Sequence, residues 1–250
     1  MTGLLRAEFY RWRHSPVPWV TLAVFMALDV ANYAMAAIFP HGGSIGPVVI
    51  DTGIDPSATM MFILFDSATP AAILAALLIG SAFAQGTPRM AVALGYPRVA
   101  IFGSRLVTMS VWWALFVIAN GLASAACLVV FGWWGASTPE PVIVNAAYAT
   151  GLQILFGLTF IAIFTAVAFL VKNAVATIAA YIAWSIVAGF IATVAGGKAA
   201  WVLVDNYGNA WIAALLEEQE QLWPGLGVCL SWTAAAVIIG CVCFHRIDLK

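Results

Sequence analysis

Charge is what this chain has least of. Only 8% of its 250 residues are Asp, Glu, Lys or Arg, against roughly 25% in a soluble domain. So few ionised groups cannot clothe a water-soluble fold of this size, and with 64% apolar residues the sequence reads as an integral membrane protein. A net charge of −1 offers no basic footprint for nucleic acid.

Histidine, cysteine and the common catalytic motifs are also scarce or missing. His14, His41 and His245 are far apart and lie outside the apolar runs, which speaks against a metal or haem site. Cys127, Cys229, Cys241 and Cys243 all fall inside apolar runs, so they read as small packing residues rather than disulfide partners. Gly196-Gly197-Lys198 lacks both the earlier glycine and the following Ser or Thr of a phosphate-binding loop, so ATP hydrolysis by that route is excluded. Glu217-Glu218 has no Arg at the spacing of a glutamate-pair protease. No catalytic, metal-binding or cofactor-binding residue is assigned, and the chain reads as a non-enzyme.

Long apolar runs are what it has in plenty. Six stand out, at Val17 to Phe39, Met60 to Ala84, Leu106 to Phe131, Ile143 to Val171, Ala174 to Ala195 and Pro224 to Phe244. Each reaches the roughly 20 residues a helix needs to cross hydrocarbon. The expected fold is an all-α membrane protein of six transmembrane helices. With that assignment Arg6, Arg11, Arg13, Arg89, Arg98, Arg105, Lys172, Arg246 and Lys250 share a face, and Lys198 lies opposite. Positive charge marks the inner side, so both termini are expected in the cytoplasm. Asp51, Asp55, Glu140, Asp205, Glu217, Glu218 and Glu220 fall in the outer connections.

Ahead of the first run, LLRAEFYRWRH (Leu4 to His14) winds into an amphipathic helix with Leu5, Phe9 and Trp12 on one face and Arg6, Tyr10, Arg13 and His14 opposite. Such a helix lies in the interface, and Ser15-Pro16-Val17-Pro18 turns the chain upward from it. The first run is too long for a cleaved signal peptide and contains Asp29, a carboxylate that costs on the order of 3 kcal/mol at mid-bilayer and must face protein or water. Pro40 to Thr59 reads as an irregular outer loop, and Asp66 opens the second run. Ala68, Ala72, Ala76, Gly80 and Ala84 then form a small-residue stripe suited to a close helix crossing.

The segment Gln85 to Arg105 is the longest polar-punctuated stretch between two such runs. Thr87 can cap a short helix whose first position is Pro88, and Gly95 suits the left-handed turn that ends it. Tyr96-Pro97 breaks the chain, and a second helix runs through Arg98 and Arg105 into the third run. That run carries Asn120 with Ser124 one turn on; Gln153 is the polar residue of the fourth. Lys172-Asn173 leaves room only for a tight helical hairpin. In the outer segment after Gly196-Gly197, AWIAALLEEQEQLW reads as a helix with Trp211, Ile212, Leu215 and Leu216 on its apolar side.

With these residues in view, the whole chain resembles the permease subunits of type-2 ATP-binding-cassette exporters. LLRAEFYRWRHSP is similar to their N-terminal connecting helix, and QGTPRMAVALGYPRVAIFGSRL to their loop after the second span. The number of spans and the ending HRIDLK are similar as well. Gln85 departs from the acidic residue common at its position, and no long external domain is present. The resemblance implies one permease domain over residues 1–250, with an elbow helix at 1–16, a cytoplasmic coupling loop at 85–105 and an outer segment at 196–223. It further implies two permease chains, identical or related, paired in the bilayer above two copies of a separate ATPase, which binds ATP and Mg. Thr87, Pro88, Arg89, Met90, Leu94, Gly95 and Arg98 would then couple to that ATPase. Asp29, Asp66 and Asn120 would contact the translocation path, although helix packing explains each equally well.

The implied function is ATP-driven export of an amphipathic small molecule, peptide or lipid-like substrate across the cytoplasmic (inner) membrane of a bacterium. Two alternatives stay open. One is an ion-coupled secondary transporter in which Asp29 or Asp66 carries protons; the other is a non-transporting membrane anchor or sensor subunit.

Overall fold

The computed structural model describes residues 2–38, 43–45, 48–50, 68–130, 139–194 and 222–246. Helix α1 (Thr2–His14) leads through Ser15 into α2 (Pro16–Ile38). Two short strands follow, β1 (Gly43–Ile45) and β2 (Val48–Ile50), and then helix α3 (Ala68–Ala84) and short helix α4 (Thr87–Ala93). Long helices α5 (Arg98–Val130), α6 (Pro139–Val171), α7 (Ala174–Val194) and α8 (Leu222–Arg246) complete the described chain.

Among the described residues, four stretches are long and apolar enough to cross a membrane: Arg98–Cys127, Gln153–Val171, Ala174–Ile191 and Gly225–Arg246. A fifth is reached if α3 and α4, bent by 59° at the break between them, are taken together. In α2 the apolar portion Pro16–Leu28 is shorter than these. The strands correct one expectation. Part of the stretch read as an irregular loop forms an antiparallel hairpin with Gly43 opposite Ile50 and Ile45 opposite Val48, where the β-branched residues Ile45, Val48, Val49 and Ile50 favour extended backbone.

Helix α6 is the hub, packing against α3, α5, α7 and α8. Its Phe156, Phe160, Phe164 and Phe169 are buried in the core. Phe169 meets Phe83 of α3, Phe102 of α5 and Phe244 of α8 edge to face, with centroids 5.3, 5.1 and 4.8 Å apart. Aromatic edges carry partial positive charge and faces negative, so this cluster gains beyond its buried area. Glycine admits the closest approach: a β-carbon on Gly157 would lie 1.9 Å from the Trp113 ring.

The small-residue stripe on α3 holds through Ala72, Ala76 and Gly80, which are buried, but fails at Ala84, which is exposed. Between them lies a π turn over Ala76–Gly80, whose wider winding breaks the four-residue spacing that the stripe assumes. Gly80 nonetheless makes the crossing, since a β-carbon there would come within 2.6 Å of the Ala174 nitrogen at the start of α7.

The expected hairpin between α6 and α7 is present. Lys172 adopts the left-handed conformation (φ 57°) that ends α6, and the Asn173 side-chain oxygen accepts the Val175 backbone N–H at 2.8 Å to cap α7. The contacts of α1 with α5, of Gly80 with Ala174, and of Phe83 with Phe169 and Phe244 all fall at one end of the bundle. That end collects Arg6, Arg11, Arg13, Arg89, Arg98, Arg105, Lys172 and Arg246, as the charge pattern requires. Lys250 and Lys198 lie outside the described residues, as does the expected outer helix with Trp211 and Glu217.

Candidate functional site

Helix α4 is held at this basic end by backbone chemistry at both of its own ends. Sequence alone puts Thr87 at the cap; instead Gly86 occupies it in left-handed conformation (φ 69°), and Thr87 is the first helical residue with Pro88 next. No side chain caps the helix. Gly86 wins because the chain must reverse sharply after Gln85, and a left-handed φ costs glycine least. At the other end, Gly95 (φ 86°) donates to Val92 O at 2.9 Å and Tyr96 N to Ala91 O at 3.2 Å. These two bonds make a Schellman motif, which closes the helix as Gly95 promises.

Between these ends, α4 has two unlike faces. Pro88 is buried, and Ala91 and Val92 pack half-buried against the core. The opposite face presents Arg89, Met90, Ala93 and Leu94, with Met90 64% and Leu94 72% exposed. Met90 and Leu94 are one helical turn apart and therefore adjacent on the surface. An exposed apolar pair beside a guanidinium suits contact with a groove of mixed apolar and acidic character.

Arg98, grouped with these residues by the sequence, has a different surrounding. Its Nη1 donates to the carbonyl oxygens of His245 at 2.8 Å and Phe244 at 3.3 Å. Those carbonyls belong to the last turn of α8, where intrahelical donors have run out. Arg98 therefore ties the start of α5 to the end of α8, directly behind α4. Tyr96 approaches α1, its hydroxyl lying 3.9 Å from where a β-carbon on Gly3 would stand.

Sequence reasoning missed the deepest charges here. Glu8 and Arg105 are 6% and 1% exposed, and Glu8 Oε1 pairs with Arg105 Nη2 at 3.1 Å. Arg11 Nη2 approaches Glu8 Oε2 at 3.3 Å. The inward face of α1 is consequently Leu4, Glu8 and Trp12, with Leu5 and Phe9 half-buried at its flank. Hydrophobic periodicity could not find this, because it scores a glutamate as outward-facing. The available signal was the 4-8-12 spacing, with the single acid of α1 between two core residues.

Of the three path candidates, Asn120 is buried within α5 and its Oδ1 has no hydrogen-bond partner. Ser124 Oγ and Gln153 Oε1, both on buried residues, are likewise unpartnered. Asp29 falls in α2, but its side chain lies outside the description, and Asp66 lies outside the described residues. A cavity of about 220 Å³ between α2, α3 and α5 is lined by Pro18, Trp19, Leu22, Leu74, Trp112, Leu115, Phe116 and Ala119, none of them a path candidate. Among the described residues no three His, Cys, Asp or Glu side chains gather as a metal site.

Comparison with known protein families and with characterised proteins returns no significant match.

Proposed function

We propose that this chain is the membrane-spanning permease subunit of an ATP-driven exporter of the type-2 ATP-binding-cassette kind. The observation that carries the reading is α4: a short helix across the basic end of the bundle, fixed by Gly86 and Gly95, with Met90 and Leu94 turned outward. In this reading the chain makes six spans, with α1 lying in the inner interface and both termini in the cytoplasm. Thr87 to Gly95 seats on a separate ATPase that binds ATP and Mg, and two copies of it serve two permease chains. Closure of the ATPases pushes on α4, and the pairing of Arg98 with α8 and of Arg105 with α1 spreads that push across the bundle. The cargo is an amphipathic small molecule, peptide or lipid-like compound, in keeping with the apolar helices.

Affinity purification of the tagged chain in mild detergent, with mass spectrometry of what accompanies it, tests the reading. An ATP-binding-cassette ATPase at about one copy per permease chain is expected. A stable complex without any ATPase, reproduced across detergents, or ATP hydrolysis by the chain alone, would overturn it.

A further inference from the structure

We infer that the junction of α1 and α5 is an anion site that takes one phosphate group. A single carboxylate, Glu8, faces two guanidiniums there, Arg105 at 3.1 Å and Arg11 at 3.3 Å, so the cluster carries one positive charge in excess. Its donors are underused as well. Arg105 Nε and Nη1 and Arg11 Nη1 are buried without a hydrogen-bond partner, and so is the indole N–H of fully buried Trp12, one turn beyond Glu8. Buried N–H groups are nearly always satisfied, and a set of orphans in one place points to a missing ion or water.

Water would fill the donors but leave the charge uncompensated in a setting where only 1% of Arg105 meets solvent. An oxyanion supplies both, and guanidinium forks match the several oxygens of a phosphate. Entry is from the flank of α1, where the Arg11 side chain is 31% exposed. Arg6 and Arg13, both exposed, extend the positive field along the same helix. Two sources share this chemistry, a phospholipid headgroup and free phosphate. The site is independent of any transported cargo or ATPase.

The test uses the full chain, purified and stripped of lipid in a neutral detergent, and follows its thermal midpoint by tryptophan fluorescence. The probes are inorganic phosphate, short-chain phosphatidylglycerol and, as an acyl control, short-chain diacylglycerol. A saturable rise with a phosphate-bearing probe and none with diacylglycerol is expected. A response to phosphatidylglycerol alone assigns the headgroup, and a response to inorganic phosphate as well assigns the free ion. Arg11→Gln leaves the Glu8–Arg105 pair in place and is expected to weaken the response about tenfold. Arg11→Lys, which keeps the charge with fewer donors, falls between. No rise with either phosphate probe, or the same rise in Arg11→Gln as in the wild type, would overturn the site.

Discussion

The guanidinium of Arg98 closes the last turn of α8 by donating to the carbonyl oxygens of Phe244 and His245. A residue at the head of one long helix thus completes the tail of another, far away in sequence. Replacing it with Gln removes the charge that favours a helix C-terminus and weakens both bonds. A loss of about 1 kcal/mol is expected, read as a lower thermal midpoint in detergent, with Arg98→Lys in between. An unchanged midpoint in both variants would show that α8 does not depend on this cap.

Gly157 and Trp113 share space that a β-carbon would fill. Gly157→Ala forces the indole aside and loosens its hydrogen bond to Ile154 O, now 3.3 Å. Overpacking of this kind costs about 1–3 kcal/mol. Trp113→Phe should recover part of the loss in the double variant, so that the two changes are non-additive. Strict additivity would mean that the clash is relieved elsewhere.

Glu8→Gln leaves Arg105 buried without its counter-charge. Breaking a buried pair from one side costs about 3–5 kcal/mol, so a strong drop in the yield of monodisperse protein is expected. Glu8→Leu with Arg105→Met removes both charges and should restore the yield. Failure of the double variant where the single variant succeeds would contradict the pairing.

Lys172 sits in left-handed conformation without being glycine. That backbone costs an ordinary residue about 1 kcal/mol, so Lys172→Gly should raise the thermal midpoint and Lys172→Val should lower it. Equal midpoints for the two would argue that the turn relaxes to another shape.

Met90 and Leu94 face outward and hold nothing inside the chain. Changing both to Ser is expected to leave the thermal midpoint within error while reducing co-purification of the ATPase severalfold. Arg89→Glu should act in the same direction, and Ala91→Pro more strongly because it breaks α4. Full coupled activity in all of these variants would remove α4 as the lever.

Much of this architecture was legible because membrane helices declare themselves through length and apolar content. The hairpin at Lys172 and Asn173, the break at Tyr96-Pro97 and the glycine stop at Gly95 follow from local rules that tertiary structure did not override. Thr87 shows where such rules compete: it is a good cap residue, but the neighbouring Gly86 is the only one that tolerates the required φ. Glu8 and Arg105 were hidden for another reason. A charge buried by a partner almost a hundred positions away leaves no trace in periodicity, and the basic residues had already been accounted for by their side of the membrane. The wider winding at Ala76–Gly80 was equally invisible, since nothing in ALLIG departs from ordinary helical composition.

That wider turn gives α3 a property best stated as register. One residue fewer between Ala76 and Gly80 would restore regular winding and leave the run long and apolar, yet it would rotate everything beyond by about 100° and draw it back by about 1.5 Å. Gly80 would no longer meet Ala174, and Met90 and Leu94 would point along a different bearing. The direction in which α4 presents its outer face is therefore set some ten residues upstream, by the length of a segment that never touches it.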